Sequence, residues 1–168
     1  MKKINLLFLI TLFITSCGNT NEVTSRDYSE YSQFSLNKIE EDMFTQKEDK
    51  YGVYIYQENC GRCDQVKNEI FNFLDNYKET SSYKLYLYEW KKASEFYEGD
   101  IKHFKGSISD QDDIVSLLRS TIGKNNTKDI YIYSKTPSLY IIENNLLSDY
   151  HYMPNTINNW LSKNKLRD

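Results

Sequence analysis

Cysteine, histidine, proline and glycine are all scarce in this chain, and each shortage closes off a class of explanation. Three of its 168 residues are cysteines: Cys17, Cys60 and Cys63. That is too few for a scaffold stapled by several disulfides, so the fold must hold by its core. The two histidines, His103 and His151, stand far along the chain with no metal-ligand spacing. A structural zinc site using Cys60 and Cys63 would need two further ligands. An excess of one charge is missing too. Twenty-one basic residues against 24 acidic ones give a net charge of −3, which leaves no electrostatic footprint for nucleic acid. No apolar run is long enough to cross a bilayer. Ile4 to Ile14 is mostly apolar but short, where roughly 18 apolar residues are needed. No internal repeat is present. The poverty in glycine and proline, set against abundant Asn, Lys, Ile and Tyr, reads as genomic base bias rather than mechanism.

The N-terminal segment reads as an address. Lys2 and Lys3 precede the short apolar run, small residues follow, and then comes Cys17. The stretch Ile14-Thr15-Ser16-Cys17-Gly18 resembles a bacterial lipoprotein signal. The resemblance implies cleavage of residues 1–16, a lipid on Cys17, and attachment to the extracytoplasmic face of a bacterial membrane. An ordinary secretory signal with an incidental cysteine, or an uncleaved anchor, would look similar. Without residues 1–16 the chain carries 19 basic and 24 acidic residues, a net −5, so membrane attachment would rest on the lipid alone. Residues 17–33 are polar and are expected to form a tether, with a reach of roughly 20–24 Å. Residues 34–165 are long enough for one domain with a real core.

Within that domain, Phe34, Leu36, Ile39, Met43 and Phe44 recur at near-helical spacing, with Ser35 a candidate cap. Gly52 to Tyr56 is β-branched and aromatic and reads as a strand. Val66, Ile70, Phe73, Leu74 and Tyr77 mark one face of a helix. Tyr83 to Trp90 alternates as a second strand, with Leu85 and Leu87 on one side and Tyr86 and Tyr88 on the other. Between Lys91 and Asp129 the pattern suggests a short helix near Phe96 and a clearer one over 114–122, begun by the acidic group Asp110, Asp112 and Asp113 and stopped by Gly123. Residues 130–133 are extended, Ser138 to Ile142 is a strand, and Glu143-Asn144-Asn145 is a turn into a partner strand over 146–152. Pro154 opens a last helix containing Ile157, Trp160 and Leu161. The many tyrosines favour sheet packing over a binding surface.

The strongest chemical signal is Asn59-Cys60-Gly61-Arg62-Cys63, set between the first strand and a helix. Two thiols at this spacing can close and open a disulfide with little backbone movement, which points to thiol–disulfide exchange. Cys60, at the helix start, faces the unpaired N–H groups and the dipole of the first turn. Gly61 and Arg62 lie between the thiols and tune the pair, the arginine by a fixed positive charge. Lowering a thiol pKa from about 8.5 to about 7 raises its thiolate fraction at pH 7 about sixteen-fold, while lost nucleophilicity removes about five-fold. The main consequence is therefore a more oxidising pair with a better leaving group, not faster attack.

The order of elements and this motif resemble the thioredoxin superfamily from about Phe34 to Leu161. Three features carry the resemblance: Cys60-Gly61-Arg62-Cys63, the Thr136-Pro137-Ser138 run before a strand and hairpin, and the closing helix from Pro154. It implies an α/β fold with a central mixed β-sheet flanked by helices on both faces, and a helical insertion before the cis-proline strand. It implies a cis bond at Pro137, with the Thr136 backbone pairing with an extended substrate segment. Cys60 would be the nucleophile and Cys63 the resolving thiol. Two positions depart from the family: Tyr54 stands where thioredoxins bury an acid, and Asn59 where they usually carry tryptophan. The departures fit better the membrane-tethered extracytoplasmic thioredoxin-like proteins, including the bacteriocin-transport accessory type. The expected activity is disulfide exchange with exported proteins, needing a redox partner but no small-molecule cofactor and no metal. A non-catalytic accessory module using the same fold for binding is the competing expectation.

Overall fold

The computed structural model describes residues 26–36, 44–90, 119–123 and 136–165. Its centre is a four-stranded sheet in the order β2-β1-β3-β4, formed by β1 (Lys50–Tyr56), β2 (Lys84–Glu89), β3 (Ser138–Glu143) and β4 (Leu146–His151). Strand β1 pairs parallel with β2 and antiparallel with β3, and β3 pairs antiparallel with β4. Helix α1 (Gly61–Asp75) makes the crossover between the two parallel strands, as a parallel pair requires. Helix α2 (Pro154–Asn164) packs against α1. This is the mixed sheet with flanking helices of a thioredoxin-like α/β fold.

The pleat divides the core into two layers. Tyr54 and Tyr56 of β1, Leu85 and Leu87 of β2, and Leu139 and Ile141 of β3 face α1 and α2, where they meet Val66, Ile70, Phe71, Ile157 and Leu161. Tyr51, Val53, Ile55, Tyr86, Tyr88, Tyr140 and Ile142 face the other way, against Phe44, Leu147 and Tyr150. Leu36 and Ile122 pack on this second layer, Ile122 directly after a helical turn at Arg119–Thr121. Tyr51 through Tyr56 are all buried, which marks β1 as the central strand. Each aliphatic side chain buried here contributes about 1.5–3 kcal/mol relative to exposure. Most tyrosines of the described sheet lie in these layers, as their strand positions suggest.

The turn between β3 and β4 is made by Asn144 and Asn145, with φ of 51° and 60°. Two consecutive left-handed residues give the turn whose twist matches a hairpin, and asparagine tolerates that region.

Two expectations need correction. Phe34 and Phe44 do not share one helix face. Phe34 belongs to the layer beneath α1, whereas Phe44 lies across the sheet. Ser35 does not start a helix; it closes a 3-10 helix over Tyr28–Phe34 and bridges in parallel to Leu87, while Leu36 N donates to Leu87 O at 2.8 Å. Residues 37–43 lie outside the described residues.

Residues 26–33, read from sequence as the end of a tether, are packed on the domain. Asp27 caps the 3-10 helix in a reciprocal box with Glu30. Arg26 makes a two-pronged contact to the Asp75 carboxylate, 2.8 Å on each side, at the C-terminal end of α1. Tyr31 donates to the same carboxylate at 2.7 Å and stacks on Phe71. The expected helical insertion over 91–129 falls largely outside the described residues, as do Asp110, Asp112, Asp113, residues 130–133 and His103.

Candidate redox site

Cys60 is the N-cap of α1. Its backbone is extended, and its Sγ accepts a hydrogen bond from Cys63 N at 3.2 Å. The sulfur thus occupies the place of a capping oxygen, facing the positive end of the helix. Asn59, immediately before it, has φ of 57°. This left-handed turn brings the chain from the end of β1 round to the helix start, and asparagine is one of the few side chains that enter the region readily.

Cys60 and Cys63 form a disulfide, with their Cα atoms 5.2 Å apart. The two sulfurs differ in access. Cys60 is half-buried, whereas Cys63 is only 2% exposed. The Thr136–Pro137 peptide bond is cis and lies against the pair. Thr136 O is 3.8 Å from Cys60 Sγ, and Thr136 Oγ1 donates to that sulfur at 3.5 Å. Pro137 is buried, and Ser138 behind it is fully buried, with its Oγ 3.1 Å from the Tyr150 hydroxyl. The structure thus brings Cys60, Cys63, Thr136 and Pro137 together from two distant parts of the sequence.

Gly61 and Arg62 sit between the cysteines on the exposed first turn. A Cβ at Gly61 would meet nothing within 4 Å, so space does not demand glycine there. Arg62 makes no hydrogen bond or ion pair among the described residues. Cys17 lies outside the described residues. His151 ends β4, largely buried, with Nε2 3.1 Å from Asp149 Oδ2. Among the described residues, no group of three His, Cys, Asp or Glu side chains is placed to hold a metal ion.

Tyr54 takes the interior position where the thioredoxins that the sequence resembles bury an acid. It is fully buried, and its hydroxyl and that of Tyr28 have no partner but each other among the described residues. Burial pushes the Tyr54 phenol well above its ordinary value, and the neighbouring Tyr28 pushes it the same way. Burial raises Tyr28 to about 12, although Tyr54 partly opposes the shift. Tyr28 stacks on Tyr56 with ring centroids 3.9 Å apart and meets Phe71 edge-on.

A cavity of about 270 Å³ opens beside Cys63. Asp27 and Tyr28 form one wall, Asp64 and Lys67 of α1 another, and Glu58 and Asn59 the loop side. Asp27, Tyr28, Asp64 and Lys67 are the site residues that the sequence reading missed. The Asp27-x-x-Glu30 spacing of a capping box was the available signal that the chain is already folded by residue 27.

No family model matches the chain, and no curated protein matches it. Several solved structures overlay on it. Mitochondrial thioredoxin 3 from Saccharomyces cerevisiae, in its oxidised form, is 12% identical; the overlay covers 79% of this chain and 97% of that one, with a TM-score of 0.44. A Malassezia sympodialis thioredoxin is 10% identical over 83% of this chain and 87% of its own, at 0.40. An N21Q mutant thioredoxin from Halobacterium salinarum is 9% identical over 80% and 92%, at 0.41. These are likenesses of fold, and the site is read from its own geometry.

Proposed function

We propose that this chain is a thiol–disulfide oxidoreductase that exchanges disulfides with exported proteins, held by a lipid on Cys17 at the extracytoplasmic face of a bacterial membrane. The observation that carries the reading is the Cys60–Cys63 disulfide at the mouth of α1, with the more open sulfur next to Thr136 and the cis-proline.

In the reducing direction, the Cys60 thiolate attacks one sulfur of a substrate disulfide. The substrate's other sulfur leaves as a thiolate and takes a proton. Cys63 then loses its proton and attacks Cys60 Sγ, re-forming the Cys60–Cys63 bond and releasing the second substrate thiol. Oxidation of a dithiol is the same sequence reversed, so the two electrons always move opposite to the disulfide. The capping N–H of Cys63 and the helix dipole favour negative charge on Cys60. The Thr136 backbone offers an extended substrate segment a partner beside the reacting sulfur. A redox partner of the same dithiol chemistry restores the starting state, and the reaction draws on no small-molecule cofactor.

The test is to express Cys63→Ala in the native host and isolate what remains joined to Cys60. Exported cysteine-containing proteins, released by reductant, are the expected result. No adduct from Cys63→Ala, together with normal function of a Cys60→Ser variant where deletion of the domain is harmful, would overturn the reading in favour of a binding module.

A further inference from the structure

Cys63 must lose a proton before it can resolve a mixed disulfide, yet among the described residues the interior offers it no base. Tyr54 lies in the same buried layer as Cys63, but its hydroxyl has only that of Tyr28 beside it and its ionisation is strongly opposed. The other side of Cys63 is different. It lines the cavity bounded by Asp27, Asp64, Glu58 and Lys67. We infer that Cys63 gives up its proton into this cavity and that Asp64 is the carboxylate that receives it.

Three observations single out Asp64 among the cavity's acids. It is the next residue on α1 after Cys63, and its N–H bonds to Cys60 O at 3.1 Å, which fixes it beside the pair. Its charge is felt by both Tyr28 and Tyr54, whereas Asp27 acts on Tyr28 and Tyr56, and Glu58 on Tyr56 alone. Asp64 is therefore the cavity carboxylate whose charge reaches the fully buried Tyr54, which lies in the same layer as Cys63. Lys67, one turn along, places its ammonium 5.6 Å from the Tyr28 ring centroid and keeps a positive charge at the rim of the same cavity. Tyr28 and Tyr56 wall the cavity as neutral rings.

The step balances without an outside oxidant. The Cys63 S–H bond breaks and Asp64 takes the proton. The Cys63 sulfur then forms its bond to Cys60 Sγ as the Cys60–substrate bond breaks, and the departing thiolate is protonated from solvent. This assignment rests on the redox reading of the pair.

The experiment is a stopped-flow reaction of the reduced protein with the aromatic disulfide 5,5′-dithiobis(2-nitrobenzoate). The first thionitrobenzoate reports attack by Cys60, and the second reports resolution by Cys63. Asp64→Asn should slow the second release about tenfold at pH 7, less than a strongly tuned general base would contribute. The deficit should close as the pH approaches about 9, where an unassisted thiol ionises by itself. Asp64→Glu should restore most of the rate, and Tyr54→Phe should leave it unchanged. A second release unaltered by Asp64→Asn, a deficit that does not vary with pH, or an equal slowing by Tyr54→Phe would overturn the assignment. If the native protein shows no first release, exchange itself fails and this inference falls with it.

Discussion

Thr136 Oγ1 donates to Cys60 Sγ at 3.5 Å across 76 positions of sequence. The contact ties the reactivity of the outer sulfur to a side chain just before β3, the strand that pairs with β1. A donor aimed at a sulfur stabilises its thiolate more than its thiol. Thr136→Val keeps the branched shape and deletes the donor. The Cys60 thiolate should then titrate about 0.5–1 pH unit higher, where one unit is 1.36 kcal/mol. Thiolate absorbance near 240 nm in a Cys63→Ala background measures this, and Thr136→Ser should remain close to the native value. An unchanged titration in Thr136→Val means the contact carries no weight in the reduced protein.

Acid sensitivity should centre on Glu48. Burial pushes its carboxyl up, but hydrogen bonds from Lys84 Nζ at 2.8 Å and the Tyr86 hydroxyl at 2.7 Å outweigh burial and hold it below the usual range. A carboxyl lowered in the folded state adds stability above its unfolded pKa and loses it as the pH falls through the folded one. Lys84 loses to burial but gains more from Glu48, so it is shifted up and keeps its contribution until strongly alkaline pH. The pair is partly open to solvent and should supply about 0.5–1 kcal/mol between roughly pH 5 and 10. Urea midpoints of the native protein and Glu48→Gln should therefore differ at pH 7 and converge near pH 3. A gap of constant size would assign the loss to packing, not charge.

Gly52 lies in the central strand, where a glycine costs conformational entropy and needs a reason. A Cβ there would stand 3.0 Å from Leu85 Cδ1, 3.4 Å from Leu139 Cδ1 and 3.5 Å from Ile141 Cδ1. All three leucine and isoleucine neighbours are buried at 1% exposure or less. Gly52→Ala should cost about 1–3 kcal/mol by overpacking, read as a lower urea midpoint with an unchanged slope. Gly61→Ala, with open space around its Cβ, should show no comparable loss. Equal stability of the two variants would contradict this packing.

The strands and α1 were legible because their apolar residues repeat with the period of the element. Leu85 and Leu87 against Tyr86 and Tyr88 separate onto the two layers as the alternation implies. The cysteine pair and Pro137 were legible as chemistry of rare residues. The Tyr28–Phe34 helix was not, because seven residues hold too few apolar positions to show a period, and its stability comes from partners distant in sequence. Arg26 finds Asp75, and Tyr28 finds Tyr56, contacts that no local pattern announces. Because Asp27 and Tyr28 wall the cavity beside Cys63, that wall was hidden with them.

Where the folded domain begins is open to direct measurement. Sequence pattern puts the start at residue 34, whereas packing puts it no later than Arg26. A chain begun at residue 34 loses the Arg26–Asp75 contact, the Tyr28–Tyr56 stack and the nearly buried Tyr31 ring. The exposed ion pair is worth only about 0.5–1 kcal/mol, but removing a buried aromatic side chain costs about 3–5 kcal/mol. The truncated chain should unfold at markedly lower urea than one begun at residue 26. It should also expose the Cys63 side of the site, since the wall formed by Asp27 and Tyr28 is gone. In the reduced state, Cys63 should then react with iodoacetamide several-fold faster, with Cys60 masked by substitution. Within the longer chain, Tyr31→Ala should reproduce most of the stability loss and Arg26→Ala only a small part. Equal stability of the two chains, with equal alkylation of Cys63, would return residues 26–33 to the role of a simple tether.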